Sequence, residues 1–250
     1  MSSQAPHPFP KVELDTTQIG TTDEWRTARL NLLAKEQEYH RLYETILAER
    51  QALPFVPVTK DYTFQSIDGP VSLKDLFGTK SQLIIYHHMF EPTADEGCHG
   101  CSFIVANFPD LRHLADKDTA AAVVSIAPIE KIAPYKEKNF PAIPWVSSAS
   151  TSFSYDFHAA FDERSDHLPS EFQAAGGTNP TGSDVPAFLV FKLQGGQVYH
   201  TYSNLSRIDN LAATHLWLDM TPAGRQDEPN GPAFKTPSEY AQEGRVSGRI

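Results

Sequence analysis

Cysteine is almost absent from this chain: 250 residues hold two, Cys98 and Cys101. Two cysteines placed at random in such a length would fall three apart only about 1% of the time, so the spacing asks for a chemical reading. Positive charge is scarce as well. Lys and Arg number 21 against 31 Asp and Glu, a net charge of −10. That argues against a nucleic-acid partner, whose affinity comes mainly from neutralised phosphates, and against binding to an anionic membrane surface. No run approaches the roughly 20 apolar residues needed to span a bilayer. A glycine-rich phosphate loop and a Gly-x-Ser-x-Gly turn are both missing, which removes the familiar nucleotide and serine-hydrolase readings. The proline-rich opening, residues 1–10, has neither the basic-then-apolar pattern of a secretory signal nor the arginines of a transit peptide. The expectation is a cytoplasmic protein, and in that reducing compartment a Cys-x-x-Cys is a redox or metal motif rather than a structural staple.

What is present organises into four parts. Residues 1–20 read as a disordered leader. Residues 21–53 read as one amphipathic helix: Trp25, Ala28, Leu32, Tyr39, Leu42 and Ile46 follow alternating three- and four-residue steps, with Lys35 as the one polar interruption, among charged neighbours, and Pro54 forces the end. Such a stripe either packs on its own domain or pairs two copies as a homodimer. Residues 54–221 hold the domain proper, and 222–250, rich in Gly, Pro and charge, read as a tail.

Within the domain, short extended segments turn at Asp68-Gly69, and 71–77 would form a short helix closing at Gly78. Residues 82–90, QLIIYHHMF, form a continuous apolar run of strand length, the mark of a strand buried on both faces. Cys98-His99-Gly100-Cys101 follows and leads into helical spacing through Leu111 and Leu114. A second buried strand (120–127), a helix started by Pro128, a short strand at Trp145 and a long polar loop (162–184) come next. Two strands then flank Gly195-Gly196, a hairpin signal, and 208–218 would be a final helix. A βαβ unit followed by a ββα unit is the plan of an α/β thioredoxin-like fold, a central mixed sheet flanked by helices, here with a long N-terminal helical extension.

A cysteine at the first turn of a helix meets unpaired backbone N–H groups that favour an anion, and the thiolate is the form that attacks disulfides or peroxides. Cys98 is thus the expected nucleophile. Cys101, one turn on, is the expected resolving thiol, and His99 between them would tune the thiolate when protonated. Asp95 and Glu96 oppose that effect where they face the sulfur. Pro186, after Val185 and before a strand, occupies the place where thioredoxin folds carry a cis-proline facing the cysteine pair. Asp156 is either a proton acceptor for the resolving thiol or a helix cap. The other reading is a copper or zinc site built from Cys98, Cys101 and His87 or His88. Adjacent strand residues point to opposite faces, so only one of the two histidines can share a site with the cysteines. His200, in the hairpin, is read as a structural histidine. The dithiol reading needs no cofactor and takes a disulfide-containing protein, a small thiol or a peroxide as partner.

Several strings together resemble a known family. They include LLAKE (32–36), AERQALP (48–54), KDYTF (60–64), LIIYHHMF (83–90), GCHGCSF (97–103), PWVSS (144–148), YDF (155–157), YHTYS (199–203) and LDMTPAGR (218–225). The set resembles the thioredoxin-like proteins grouped as domain-of-unknown-function family 899, over about residues 25–225. The resemblance implies a thioredoxin-like fold and a dithiol-type oxidoreductase. It departs from the family pattern at His88, where a bulky aromatic is more usual, at His99, where proline is common, and in a longer 162–184 stretch.

Overall fold

The structure is a computed structural model that describes residues 18–162, 184–205, 208–225 and 234–242. Most of the expected leader and of the 162–184 loop therefore lie outside the described residues. The chain divides into two units between Leu53 and Pro54.

The first unit is a single helix, α1 (Thr22–Gln51), opened by a capping box in which Thr21 and Glu24 satisfy each other's backbone N–H groups. Trp25, Leu32, Tyr39, Leu42 and Ile46 are all exposed on it.

The second unit is built on an eight-stranded mixed sheet. Its strands are β1 (Val56–Pro57), β2 (Thr63–Ser66), β3 (Gly69–Ser72), β4 (Gln82–His87), β5 (Thr119–Ser125), β6 (Trp145–Ser147), β7 (Ala187–Gln194) and β8 (Gln197–Asn204). Their spatial order is β1-β8-β7-β4-β5-β6-β2-β3. β4, β5 and β6 run parallel, with Ile85 opposite Ala122 and Val124 opposite Val146. β7 pairs antiparallel with β4, and β8 antiparallel with β7. Strands β5-β4-β7-β8 thus reproduce the thioredoxin-like order, a central strand with a parallel neighbour on one side and an antiparallel hairpin on the other. The hairpin turns at Gly195 and Gly196, both at positive φ, 58° and 80°, where glycine carries no Cβ penalty.

Among the described residues the helices of this unit are α2 (His99–Ala106), α3 (Leu111–Asp116), α4 (Ile129–Asn139), α5 (Phe153–Asp156), α6 (Ala213–Leu218) and α7 (Pro237–Gln242). Three expectations change. The helical spacing from Cys101 to Leu114 is two helices: Pro109 interrupts it and Asp110 caps the second. The expected helix at 71–77 is a strand followed by a 3-10 turn, Asp75–Phe77. The segment expected as a tail contains α7.

Alternation along β4 sends residues to two cores. Leu83 and Ile85 join Phe64, Phe77, Phe153, Leu189 and Phe191 on one face. Tyr86 joins Ile104, Val105, Val123, Ile132, Tyr135 and Trp145 on the other. Both faces of β4 are dry, and truncating Leu83 to Ala would cost about 2–5 kcal/mol.

Candidate functional site

The C-terminal end of β4 delivers the chain to α2, and Cys98 sits at the N-cap of that helix with its amide held by the Met89 carbonyl at 3.0 Å. Cys98 is partly exposed, whereas Cys101 is 2% exposed. Both are free thiols. The two environments drive them apart. The Cys98 thiol falls to about 6, chiefly because the Cys101 thiol donates to its sulfur. The amides of Cys101 and Gly100 and the charge of His99 act in the same direction, against the opposing effect of burial. The Cys101 thiol rises well above its ordinary value through burial and the charge on Cys98. Its sulfur also accepts from the Met89 amide at 3.4 Å. The Tyr86 hydroxyl approaches the same sulfur, which eases that rise, but makes no hydrogen bond of ordinary geometry among the described residues.

A buried polar group lies beneath the Cys98 peptide. Ser102 donates to the Cys98 carbonyl at 2.9 Å, and its oxygen also meets Tyr135 Oη at 2.6 Å and His88 Nε2 at 3.0 Å. The His88 ring packs 4.7 Å from Trp145. Trp145 in turn donates to Ser125, and Ser125 to the His88 carbonyl. Gly97 closes over this ring: a Cβ there would stand 2.6 Å from His88 Cε1. Burial pushes His88 down to about 3, so the ring is neutral across the physiological range.

Strand parity separates the two histidines as expected. His88 shares the cysteine face. His87 lies in the other direction, with Nδ1 donating to the Val185 carbonyl at 3.0 Å and Nε2 accepting from Ser154 at 3.1 Å. Burial pushes it down to about 4. Among the described residues no three His, Cys, Asp or Glu side chains cluster as a metal site would require.

Pro186 lines the same pocket as both cysteines. Its peptide bond is trans, as is every peptide bond among the described residues, so the cis geometry suggested by its position is not adopted. His99 is exposed, 3.3 Å from Glu239 of α7. Glu96 acts on Tyr135, whose hydroxyl is raised to about 12 mainly by burial. Asp156 belongs elsewhere: Lys60, Tyr62 and Ser152 all donate to it, which makes it a tether. His200 bonds to Ser203 and to the Tyr202 carbonyl, with its ring against Phe157 and Phe191, a structural position.

Two residues near the cysteines carried no signal in the sequence. Asp184 is buried, accepts from the Phe90 amide at 3.1 Å, and is raised to about 7 by burial, with the charges of Glu91 and Cys98 adding to the rise. Phe234 stacks on Phe103 at 3.8 Å between ring centres. Tyr86, by contrast, could have been found by counting two residues back from His88 along the strand.

Solved structures with similar folds include peroxidoxin BcpB of Mycobacterium tuberculosis, at 16% identity over 65% of this chain and 91% of that one, TM-score 0.44. The bacterioferritin comigratory protein of Xanthomonas campestris matches at 15% over 65% and 94%, TM-score 0.41. The apo Sco1 protein of Thermus thermophilus matches at 17% over 65% and 87%, TM-score 0.35. No curated protein matches the sequence. A family profile described as bacterial protein of unknown function, DUF899, matches residues 14–242. With nearly the whole chain inside that match, the protein belongs to the DUF899 family.

Proposed function

We propose that the protein is a dithiol oxidoreductase, of the thiol-disulfide or thiol-peroxidase type, in which Cys98 is the nucleophile and Cys101 the resolving thiol. The observation that carries this reading is the opposed tuning of two free cysteines one helical turn apart. The outer thiol is brought down to about 6 and the inner one is held protonated against it. At neutral pH Cys98 is roughly 90% thiolate on that value, while Cys101 keeps the proton it must lose only when a mixed disulfide or a sulfenic acid has formed on Cys98. His99 and Pro186 take the supporting roles of charge and substrate-facing wall.

The test is direct. Oxidation of the reduced protein by hydrogen peroxide or by a small disulfide should give one intramolecular Cys98–Cys101 bond by peptide mass spectrometry, and Cys98→Ser should abolish turnover with a dithiol reductant. A Cys98 that alkylates no faster than an ordinary thiol at pH 7 defeats the reading. So does stoichiometric copper or zinc in protein purified without added metal, lost in Cys101→Ser.

A further inference from the structure

Cys98 and Cys101 stand in the wall of a pocket of about 410 Å³, within the size range of sites that enclose small organic molecules. Its surface is largely apolar, with Tyr86, Met89, Phe103, Ile104, Ile208 and Phe234 contributing. Asp209 and His215 in the lining are already engaged, and the Tyr86 hydroxyl lies toward the Cys101 sulfur. Asp209 accepts from Arg225 at 3.0 Å, and His215 Nδ1 donates to the Asp209 carbonyl at 3.0 Å while its ring lies against Phe103 and Phe234. A charged substrate body lying along these apolar walls would be desolvated at a free-energy cost. An apolar one gains from the same burial.

The outer wall comes from the C-terminal segment. Phe234 lies flat on Phe103, Ser238 donates to Asn139 of α4 at 3.2 Å, and Glu239 holds His99 at the head of α2. This strap stands beside the nucleophile, where a folded protein would have to approach with a disulfide.

Resting on the dithiol reading, we propose that the substrate is a small molecule with a neutral aryl or branched-alkyl body, held between Phe103, Ile208 and Phe234, that presents an O–O or S–S bond to Cys98. The Cys98 thiolate attacks one atom of that bond; the bond breaks, and the leaving alkoxide or thiolate takes up a proton. Cys101 then gives up its proton and attacks the Cys98 sulfur. A disulfide forms and the departing group leaves as water or as the second thiol. The substrate gains two electrons, the protein dithiol loses two, and an external dithiol restores it.

Two measurements on the full-length chain test this. In the first, reduced protein is alkylated with iodoacetamide at a pH where any thiol ionises, with and without 2-phenyl-2-propanol, the alcohol left by cumene hydroperoxide. Saturable protection of Cys98 of at least 5-fold is expected, with none from glycerol, and Phe234→Ala should reduce the protection ratio several-fold while Phe234→Leu retains most of it. No protection up to the solubility limit, or equal protection by glycerol, overturns the proposal. In the second, rates of disulfide formation, each divided by the rate with a free small thiol, are compared for cumene hydroperoxide against hydrogen peroxide and for 4,4′-dithiodipyridine against oxidised glutathione. An apolar oxidant at least 10-fold ahead of its polar counterpart supports the proposal, and the pair in which this occurs identifies the bond attacked. Parity in both pairs overturns it. Failure of every oxidant to form the disulfide defeats the dithiol reading instead, and leaves the protection result as a measure of the pocket alone.

Discussion

Burial by itself would push both thiols upward, and at Cys101 it does. At Cys98 it is overcome by donors that point at the sulfur, the largest contribution being the Cys101 thiol. Cys101→Ala should therefore move the midpoint of Cys98 alkylation from about pH 6 upward by about 1 unit or more, read from the rate of iodoacetamide labelling between pH 5 and 9. The place of Cys98 and Cys101 at a helix start was legible from their spacing and the strand before them. Asp184 and Phe234 were not. Each acquires its meaning from contacts made across the fold, Asp184 with the Phe90 amide and Phe234 with Phe103, and no local pattern marks either.

Among the elements, β4 does most to build the site. Its alternation assigns His87 to Val185 and Ser154, and His88 to Ser102, with Trp145 packed at a tilt against the ring. That division was readable from residue parity alone. The break between α2 and α3 was obscured because the apolar spacing runs on through Pro109, and only the cap at Asp110 reveals the second start. Where β4 hands over to α2, Gly97 is required for space and not for its backbone angle: a methyl there would press on a ring already packed against Trp145. Gly97→Ala should cost roughly 1–3 kcal/mol in urea unfolding. Combined with His88→Ala, the two losses should fall short of additive, since the second substitution removes what the methyl meets.

For the molecule as a whole, the buried titratable groups set how stability depends on pH. His87 and His88 are depressed to about 4 and about 3. The stability they contribute is complete above the unfolded value near 6.5 and is lost as pH falls from there, toward 4 for His87 and toward 3 for His88. Cys98, depressed to about 6, adds a loss as pH falls from 9 to 6. Asp184, raised to about 7, works in the opposite sense, since the fold takes up its proton first as pH falls from 7 toward 4. Two histidines outweigh one carboxylate, so the urea midpoint should be lower at pH 5 than at pH 7. Asp184→Asn should steepen that drop, because it relieves the cost of the carboxylate at pH 7 and removes its compensation at pH 5.

The strap that carries Phe234 and Glu239 also has an order in time. Strand β8 ends at Asn204, so the sheet strands and the whole Cys98–Cys101 turn are synthesised before the strap, and domains tend to fold as they emerge from the ribosome. A nascent chain that has formed its sheet carries a dithiol with one wall still missing. Its thiols meet the surrounding solution most openly before the strap is made, and the folded protein shelters them only once α7 has docked.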